Sequence, residues 1–165
     1  AQESRGLGDV YKRQTLCTGG SGRGQKTPDA MIKISQIPAG AEKACAPQVQ
    51  RLYELAGWSE PGGSAESVER ALKNSHCAFG AFDGRKMVGF FRALSDGVSD
   101  AYLLDLFVDP EYRGRGIASE LAARIVARLK SDGIEWITAI STPEAKNMYL
   151  RIGKRMKSHT PIRFS

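Results

Sequence analysis

The sequence predicts one α/β domain in which a central apolar strand leads directly into a helix. The chain has 165 residues, of which 41% are hydrophobic and 25% charged, as expected for a globular domain with a substantial core. From residue 31 onward, the spacing of hydrophobic residues switches between that of helices and that of strands. The largely apolar run 101–108 stops before Pro110, and a helical repeat starts at residue 117. This alternation predicts a mixed sheet with helices on its faces.

The first elements of the domain are a strand and two helices. Apolar and polar side chains alternate over residues 31–37, and Pro38 ends the run, which predicts a strand. Residues 42–57 carry apolar side chains at helical spacing and end in Gly57. Ser64 is the candidate N-cap of the second helix, because its hydroxyl can accept a hydrogen bond from a free helical N–H.

The second half of the domain begins with a hairpin. Two apolar runs flank Asp83-Gly84, which is a strong turn signal. Trp136 lies in a later apolar strand and is predicted to belong to the core. The predicted elements of this half are strands at 77–82, 87–94 and 101–108, a helix at 117–130, a strand at 134–140, a helix at 143–152 and a strand in the last dozen residues.

The first 30 residues are predicted to be a disordered tail. They show no hydrophobic periodicity, so they cannot bury enough surface to offset the entropy of ordering the chain. Residues 9–14 resemble the translation of a transposase mosaic-end adapter used in sequencing libraries, so residues 1–14 are expected to be an assembly artefact. The folded domain is expected over residues 31–165.

Composition limits the environment and the partners of the chain. The net charge is +6, and no stretch approaches the roughly 20 apolar residues needed to span a bilayer. Cys17, Cys45 and Cys77 are far apart, which argues against a disulfide framework or a zinc site. His76 and His159 have no partners at metal-ligand spacing. A reducing cytosol and no metal cofactor are therefore expected.

Residues 113–118 follow the central strand and carry the clearest chemical signal. Gly114 and Gly116 allow a positive φ and let a ligand approach the backbone without Cβ atoms in the way. The free N–H groups of the first helical turn attract an anion, and Arg113 and Arg115 add positive charge beside it. The pattern predicts a diphosphate site; the alternative is an ordinary turn with surface arginines.

The same residues carry a resemblance to a known family. Arg113-Gly114-Arg115-Gly116-Ile117-Ala118 matches the pattern Gln/Arg-x-x-Gly-x-Gly/Ala of the GCN5-related N-acetyltransferases, the GNAT superfamily, and the preceding 108–112 matches its Val-x-Pro-x-Tyr. The resemblance spans residues 31–165. Residues 92–97 further resemble a bacterial subgroup described as aralkylamine-acetyltransferase-like. The resemblance implies an α/β fold of the α+β type, with a mixed, mostly antiparallel sheet and splayed central strands.

The resemblance also implies acetyl-CoA as co-substrate. The backbone of the central strand would pair with the pantetheine arm, much as an added strand pairs with a sheet edge. The implied contacts of this arm are Leu106, Phe107 and Val108. The implied contacts of the diphosphate are Arg113, Gly114, Arg115, Gly116, Ile117, Ala118 and the hydroxyl of Ser119.

Residues 142–153 resemble the last motif of the family. Its matching residues are Ala145, Tyr149 and Gly153. Thr142 stands where the family usually has the Asn that contacts the cofactor, and Lys154 replaces an aromatic residue. Tyr149 is the expected general acid, because a phenol with a pKa of about 10 can protonate the departing CoA thiolate. The alternative is that its ring only packs against the sheet.

Asp105 is the candidate general base, since the central strand carries this carboxylate. Simple strand alternation predicts that it lies on the face opposite Leu104 and Leu106. A structural carboxylate, or relay of the proton through water to solvent, remains an alternative. Asp96 and Asp100 in the preceding loop either attract a cationic amine or only stabilise the turn.

The distribution of charge fits an anionic cofactor and a cationic acceptor. Residues 31–112 carry 8 basic and 11 acidic side chains, a net charge of −3, whereas residues 113–165 carry 11 and 4, a net charge of +7. The positive charge thus begins at the diphosphate turn, which favours CoA over a nucleic-acid partner.

The predicted function is direct transfer of an acetyl group from acetyl-CoA to a primary amine of a small molecule. No cysteine lies in either motif, which argues against a covalent acetyl-enzyme. The expected partners include no nucleic acid and no membrane, and the resemblance is compatible with a homodimer. The alternatives are a non-catalytic acyl-CoA-binding domain and an acetyltransferase acting on lysines of proteins or peptides.

Overall fold

The computed structural model describes residues 31–163, in which a five-stranded sheet is flanked by helices. The predicted tail at residues 1–30 and the last two residues lie outside the described residues. The elements are β1 Lys33–Gln36, α1 Glu42–Ala56, α2 Ala65–Lys73, β2 Cys77–Asp83, β3 Lys86–Ser95, β4 Asp100–Val108, a 3-10 turn at Pro110–Tyr112, α3 Ile117–Ser131, β5 Trp136–Ala139 and α4 Lys146–Tyr149.

The strands are arranged in their sequence order across the sheet. The first three pairs are antiparallel, and only β4 and β5 are parallel. This confirms the predicted mixed, mostly antiparallel sheet. The pairing of β4 with β5 begins at Asp100 and ends at Leu103, although β4 continues to Val108. Because β5 ends at Ala139, the second half of β4 has no pairing with it.

The core has two layers, one on each face of the sheet. Helices α1 and α2 cover one face, where Leu52 of α1 packs with Phe90 of β3. Helix α3 covers the other face, and its Leu121 and Ile125 have no solvent exposure. The four-residue spacing in α3 is the periodicity that predicted this helix. No helix within residues 31–163 combines the length and apolarity needed to cross a membrane.

The local signals for turns and caps are confirmed. Gly57 ends α1 in the left-handed conformation with φ 71°, a conformation that costs little without a Cβ. Ser64 caps α2, and its Oγ accepts a hydrogen bond from the N–H of Glu66 at 3.1 Å. The β2–β3 hairpin turns at Gly84 and Arg85, between the paired residues Asp83 and Lys86.

The C-terminal predictions are wrong in three respects. The helix expected over 143–152 is limited to Lys146–Tyr149, and residues 154–163 form no strand. Clustered basic residues and Pro161, which has no N–H to donate, disfavour a strand in that segment. Trp136 is 52% exposed rather than in the core. It lies on β5, which is an edge strand of the sheet.

Candidate active site

The end of β5 at Ala139 leaves one edge of β4 open beyond Leu103. Asp109 donates its N–H to the carbonyl of Val88 on β3 at 2.9 Å, and backbone groups alternate between the two edges of a strand. The N–H of Val108 therefore points away from β3, toward the side on which β5 pairs with the first half of β4. Among the described residues, no strand pairs with this part of the edge. The open edge can accept an extended ligand through backbone hydrogen bonds.

A β-bulge lies at the start of the open edge. Phe90 pairs with Phe107 and Arg92 pairs with Leu104, so two residues of β4, Asp105 and Leu106, face the single residue between them on β3. Asp105 has φ 62° and is the only non-glycine residue within 31–163 with a positive φ. An extra residue in this conformation bends the strand and increases its local twist. The bulge thus begins two residues beyond Leu103, the last residue of β4 that pairs with β5.

The bulge also corrects the predicted orientation of Asp105. Leu104 pairs with Arg92, and Asp105 binds the Arg92 side chain, so both β4 side chains lie on the face covered by α1. Leu106 instead packs with the core under α3. The expectation that Asp105 lies opposite Leu104 is wrong, because the inserted residue interrupts the alternation on which it depended.

Two donors hold the carboxylate of Asp105. The hydroxyl of Tyr53 on α1 donates to Oδ2 at 2.7 Å, and Nε of Arg92 on β3 donates to the same oxygen at 2.6 Å. Burial and the nearby Asp105 charge raise the pKa of Tyr53 well above its usual value. Burial lowers the pKa of Arg92, but the charge of Asp105, its hydrogen bond to Arg92 and the contact with Tyr53 together more than offset this, so the pKa is raised overall. Both partners therefore remain donors at neutral pH.

An aromatic cluster supports Tyr53 beside the bulge. The Tyr53 ring lies 5.7 Å from that of Trp58 and 6.2 Å from that of Phe90, and Trp58 lies 5.7 Å from Phe107. These tilted and edge-to-face contacts are the arrangements that aromatic rings prefer. The four rings pack against one another on the α1 side of β4.

The predicted diphosphate turn lies at the end of β4. Gly114 and Gly116 have φ values of 78° and 77°, and a Cβ added at either would meet no atom of the protein within 4 Å. Gly116 precedes the first turn of α3, and the first intrahelical bond reaches it from the N–H of Glu120. The N–H groups of residues 117–119 are therefore not used by the helix. The turn is open and presents these donors to one region of space, as an anion site requires.

The two arginines of the turn lie against its aromatic residues. Nε of Arg113 donates to the carbonyl of Val108 at 3.1 Å, and its guanidinium lies 5.4 Å from the Phe107 ring centre. The guanidinium of Arg115 lies 5.0 Å from the ring centre of Tyr112. Arg113 thus fixes the end of β4, and both charges stay beside the helix N-terminus.

Tyr149 and Asp105 lie on opposite sides of the bulge. Tyr149 packs against the core under α3, and its ring lies 6.3 Å from that of Phe91, the residue that faces the bulge from β3. Asp105 lies on the α1 face. The Thr142 hydroxyl accepts a hydrogen bond from the N–H of Ala145 at 3.3 Å, so in this structure it caps the segment that carries Tyr149.

The site thus has a bulge in β4, an open strand edge beyond the bulge, and a glycine turn at the N-terminus of α3. A model of the acetyltransferase (GNAT) family matches residues 47–153, more than half of the chain. The chain belongs to this family. The matched range includes the bulge, the glycine turn and Tyr149, and the resemblance found from the motifs is confirmed. The aralkylamine subgroup stays a prediction.

Curated relatives of this GNAT domain carry different names. An uncharacterized N-acetyltransferase ycf52 of Gracilaria tenuistipitata var. liui is 28% identical over 64% of this chain and 59% of its own length. Histone acetyltransferase TAP1 of Glycine max is 28% identical over 76% of this chain and 58% of its own length. The chloroplastic serotonin N-acetyltransferase 2 of Oryza sativa subsp. japonica is 29% identical over 58% of this chain and 50% of its own length. The chain thus spans about half to three fifths of the length of these relatives.

Solved structures of other acetyltransferases share the fold. A GNAT family protein of Streptococcus pneumoniae TIGR4 is 26% identical, with a TM-score of 0.64 over 82% of this chain and 98% of that one. A predicted acetyltransferase of Clostridium acetobutylicum, solved with acetyl-CoA, is 15% identical, with a TM-score of 0.62 over 81% and 96%. At 15% identity, the similarity to the Clostridium acetobutylicum protein shows a shared fold and nothing more.

Asp109 joins the loop before the glycine turn to the rest of the fold. It is only 4% exposed, and its carboxylate binds Nη1 of Arg51 at 3.2 Å and Nζ of Lys86 at 3.5 Å. The other oxygen accepts the N–H of Glu111 at 3.2 Å and so caps the 3-10 turn. Arg51 also donates to the carbonyl of Met87 at 2.6 Å. One buried carboxylate thus connects α1, β3 and the loop before α3.

We expect Asp109→Asn to lower the free energy of unfolding by about 2 kcal/mol, because a buried charge pair loses one partner. Urea denaturation measures this loss. Glu69→Gln is the matched control, since it neutralises the i,i+4 pair of Glu69 with the half-exposed Lys73. That change should cost no more than about 0.5 kcal/mol. Equal losses in the two variants would contradict the role assigned to Asp109.

Asp96 and Asp100, the two carboxylates predicted in the β3–β4 loop, have different surroundings. Asp96 accepts hydrogen bonds from the N–H groups of Val98, Ser99 and Asp100, and these bonds lower its pKa to about 2. Asp96 is thereby engaged in the turn itself. Asp100 lines a shallow groove of about 360 Å³ together with Tyr102 and other residues of β3, β4 and β5.

Of the two histidines predicted to have no metal role, His76 is partly buried and His159 is exposed. Nε2 of His76 lies 2.8 Å from Oδ2 of Asp132, and the His159 ring lies 5.9 Å from that of Trp136. Within residues 31–163, no group of three or more His, Cys, Asp or Glu side chains is arranged to hold a metal ion.

Proposed function

We propose that this domain transfers an acetyl group from acetyl-CoA directly to a primary amine of a small molecule. The observation that carries the proposal is the open edge of β4, which runs from the bulge at Asp105 toward the glycine turn before α3. An extended arm and a diphosphate linked in one molecule match this combination of sites. Acetyl-CoA has both parts.

The residues of the site fit this co-substrate. The space above Gly114 and Gly116 and the unused N–H groups at the start of α3 suit the diphosphate. The outward-facing backbone of Leu106 and Val108, with Phe107 between them, suits the pantetheine arm. The residues proposed to hold the diphosphate are Arg113, Gly114, Arg115, Gly116, Ile117, Ala118 and Ser119. Thr142 is proposed to contribute through the segment that it caps.

The chemistry assigns a role to each side of the bulge. The amine nitrogen attacks the thioester carbonyl, and negative charge develops on the carbonyl oxygen. A backbone N–H of the open edge near Val108 would stabilise that charge, because a fixed donor needs no reorganisation. The C–S bond then breaks, and Tyr149 protonates the departing thiolate as general acid. The acceptor ammonium loses one proton before the attack, and the nitrogen loses a second as the amide forms; both leave on the α1 side, to Asp105 or through water to solvent. A proton from solvent then restores the Tyr149 phenol.

The protonation of the two cysteines within residues 31–163 favours direct transfer. Burial is the main cause that raises the pKa of Cys77 to about 11, and burial is also the main cause that raises the pKa of Cys45. Neither thiol is therefore a thiolate at neutral pH, which is the form that attacks a thioester. This supports a ternary complex of protein, acetyl-CoA and amine.

Charge favours a cationic amine as the acceptor, and one relative favours a small molecule. Residues 31–112, which supply α1 and the acceptor side of the sheet, carry a net charge of −3 and suit a cationic amine. The serotonin N-acetyltransferase among the relatives is named for a small amine. The second candidate is a lysine side chain of a protein, which the name of the TAP1 relative favours.

Two measurements test the proposal. At about one hundred times its dissociation constant, acetyl-CoA should stabilise the fold by about 2.7 kcal/mol and raise the melting temperature by about 5–10 °C. A duplex nucleic acid should leave the melting temperature unchanged. Turnover is then compared between small primary amines and histone peptides containing lysine. Higher kcat/KM for the peptides would replace the first candidate with the second.

A further inference from the structure

We infer that Tyr53 and Arg92 are positioning residues that keep β4 bulged at Asp105. By binding the Asp105 carboxylate, they hold the backbone in the conformation that opens the strand edge to the acetyl-bearing arm. The inference rests on the proposed function, and it gives the carboxylate a role other than that of general base.

The backbone at Asp105 needs an external restraint. A positive φ is unfavourable for an L-residue, although Asp tolerates it better than most. At the other positive-φ positions within 31–163 the chain has glycine. Asp105 instead has two side-chain hydrogen bonds to Oδ2, at 2.6 and 2.7 Å. The hydrogen bonds thus take the place of the conformational freedom that a glycine has.

The two donors come from different elements and are themselves fixed. Tyr53 belongs to α1 and packs against the rings of Trp58 and Phe90. Arg92 belongs to β3, is 13% exposed and also donates to the hydroxyl of Ser75 at 3.3 Å. Because a helix and a strand approach the carboxylate from separate directions, its position is defined relative to both.

The bulge determines which groups of β4 reach the open edge. Without the extra residue, the pairing of Phe90 with Phe107 and of Arg92 with Leu104 would not both hold. A one-residue shift would turn side chains and backbone groups beyond it to the other side. Relaxation of Asp105 to an extended conformation therefore moves the N–H groups that the transfer reaction needs. Misplacement of a reacting group by about 1 Å can cost on the order of 100-fold in rate.

The test combines Tyr53→Phe with a change at the residue on which it acts. In the otherwise native chain, Tyr53→Phe should lower kcat/KM by about tenfold, the effect of one lost hydrogen bond to a charged group. In an Asp105→Gly background, Tyr53→Phe should change kcat/KM by less than about twofold, because glycine adopts a positive φ without a tether. Tyr102→Phe, the same chemical change on β4 itself, is the matched control.

Two outcomes would overturn the inference. Equal losses from Tyr53→Phe in both backgrounds would mean that Tyr53 acts independently of Asp105. Loss of turnover in Asp105→Gly with acetyl-CoA binding intact would assign the carboxylate as the base. Turnover by the unmodified chain reports separately on the proposed function.

A second measurement needs neither turnover nor the glycine variant. The Cα and Cβ chemical shifts of Asp105 report its backbone conformation. In Tyr53→Phe they should move from left-handed toward extended values, whereas in Tyr102→Phe they should not. Unchanged shifts in Tyr53→Phe would contradict the positioning role even if the proposed function failed.

Discussion

Gly116→Ala should weaken acetyl-CoA binding by about 30-fold, which corresponds to about 2 kcal/mol. Gly116 has φ 77° at the N-terminus of α3, and no protein atom lies within 4 Å of a Cβ added there. The methyl group therefore has room in the protein alone, but it extends into the open turn where the diphosphate is expected. Isothermal titration calorimetry measures the loss directly.

Backbone strain is separated from ligand contact by Gly97→Ala. Gly97 lies in the β3–β4 turn with φ 76°, and a Cβ there would also meet no atom within 4 Å. Both substitutions should lower the stability by about 1–2 kcal/mol, since both place alanine in the left-handed region. Only the change at Gly116 should alter the dissociation constant for acetyl-CoA. A similar loss of affinity in both variants would contradict a diphosphate site at Gly116.

Tyr149→Phe should lower kcat by about 100-fold, the lower range of what general acid–base groups contribute. The substitution removes the hydroxyl and keeps the ring that lies 6.3 Å from Phe91. The melting temperature and the dissociation constant of acetyl-CoA should therefore stay close to those of the unmodified chain. Steady-state kinetics with a good amine substrate measures kcat.

The control for this prediction is Tyr102→Phe, which removes a phenol from the exposed end of β4. It should retain kcat within about twofold, as surface substitutions away from special features usually do. Full turnover by Tyr149→Phe would show that another group protonates the thiolate. A large fall in the melting temperature would instead indicate that the Tyr149 hydroxyl acts through folding.

Sequence patterns predicted the parts of the site that depend on neighbours in the chain. The glycine turn and the start of α3 lie within six residues, so their conformations and free N–H groups follow from local rules. Tyr53 and Arg92 could not be found in this way. They meet Asp105 across 52 and 13 positions, and in the sequence Tyr53 is one more apolar position in the stripe of α1.

The bulge shows why strand alternation failed at one position. Alternation assumes one residue per step on each strand, and the extra residue at Asp105 follows from pairing with β3, which no pattern within β4 reveals. At the C-terminus the reason differs. Leu150 and Ile152 lie near the end of the helix expected over 143–152, yet both are 41% exposed, so tertiary packing contributes little to extend the helix.

Formation of the acetylated amine is the most direct test of acetyl transfer at the bulge of β4. The protein is incubated with acetyl-CoA and each of a panel of small primary amines, and both CoA thiol and acetylated amine are quantified by mass spectrometry. At least one amine should yield the two products in equal amounts, and Tyr149→Phe should slow both to the same extent. Binding of acetyl-CoA without any acetylated product, from small amines or from lysine peptides, would contradict the account and identify a non-catalytic acyl-CoA-binding domain.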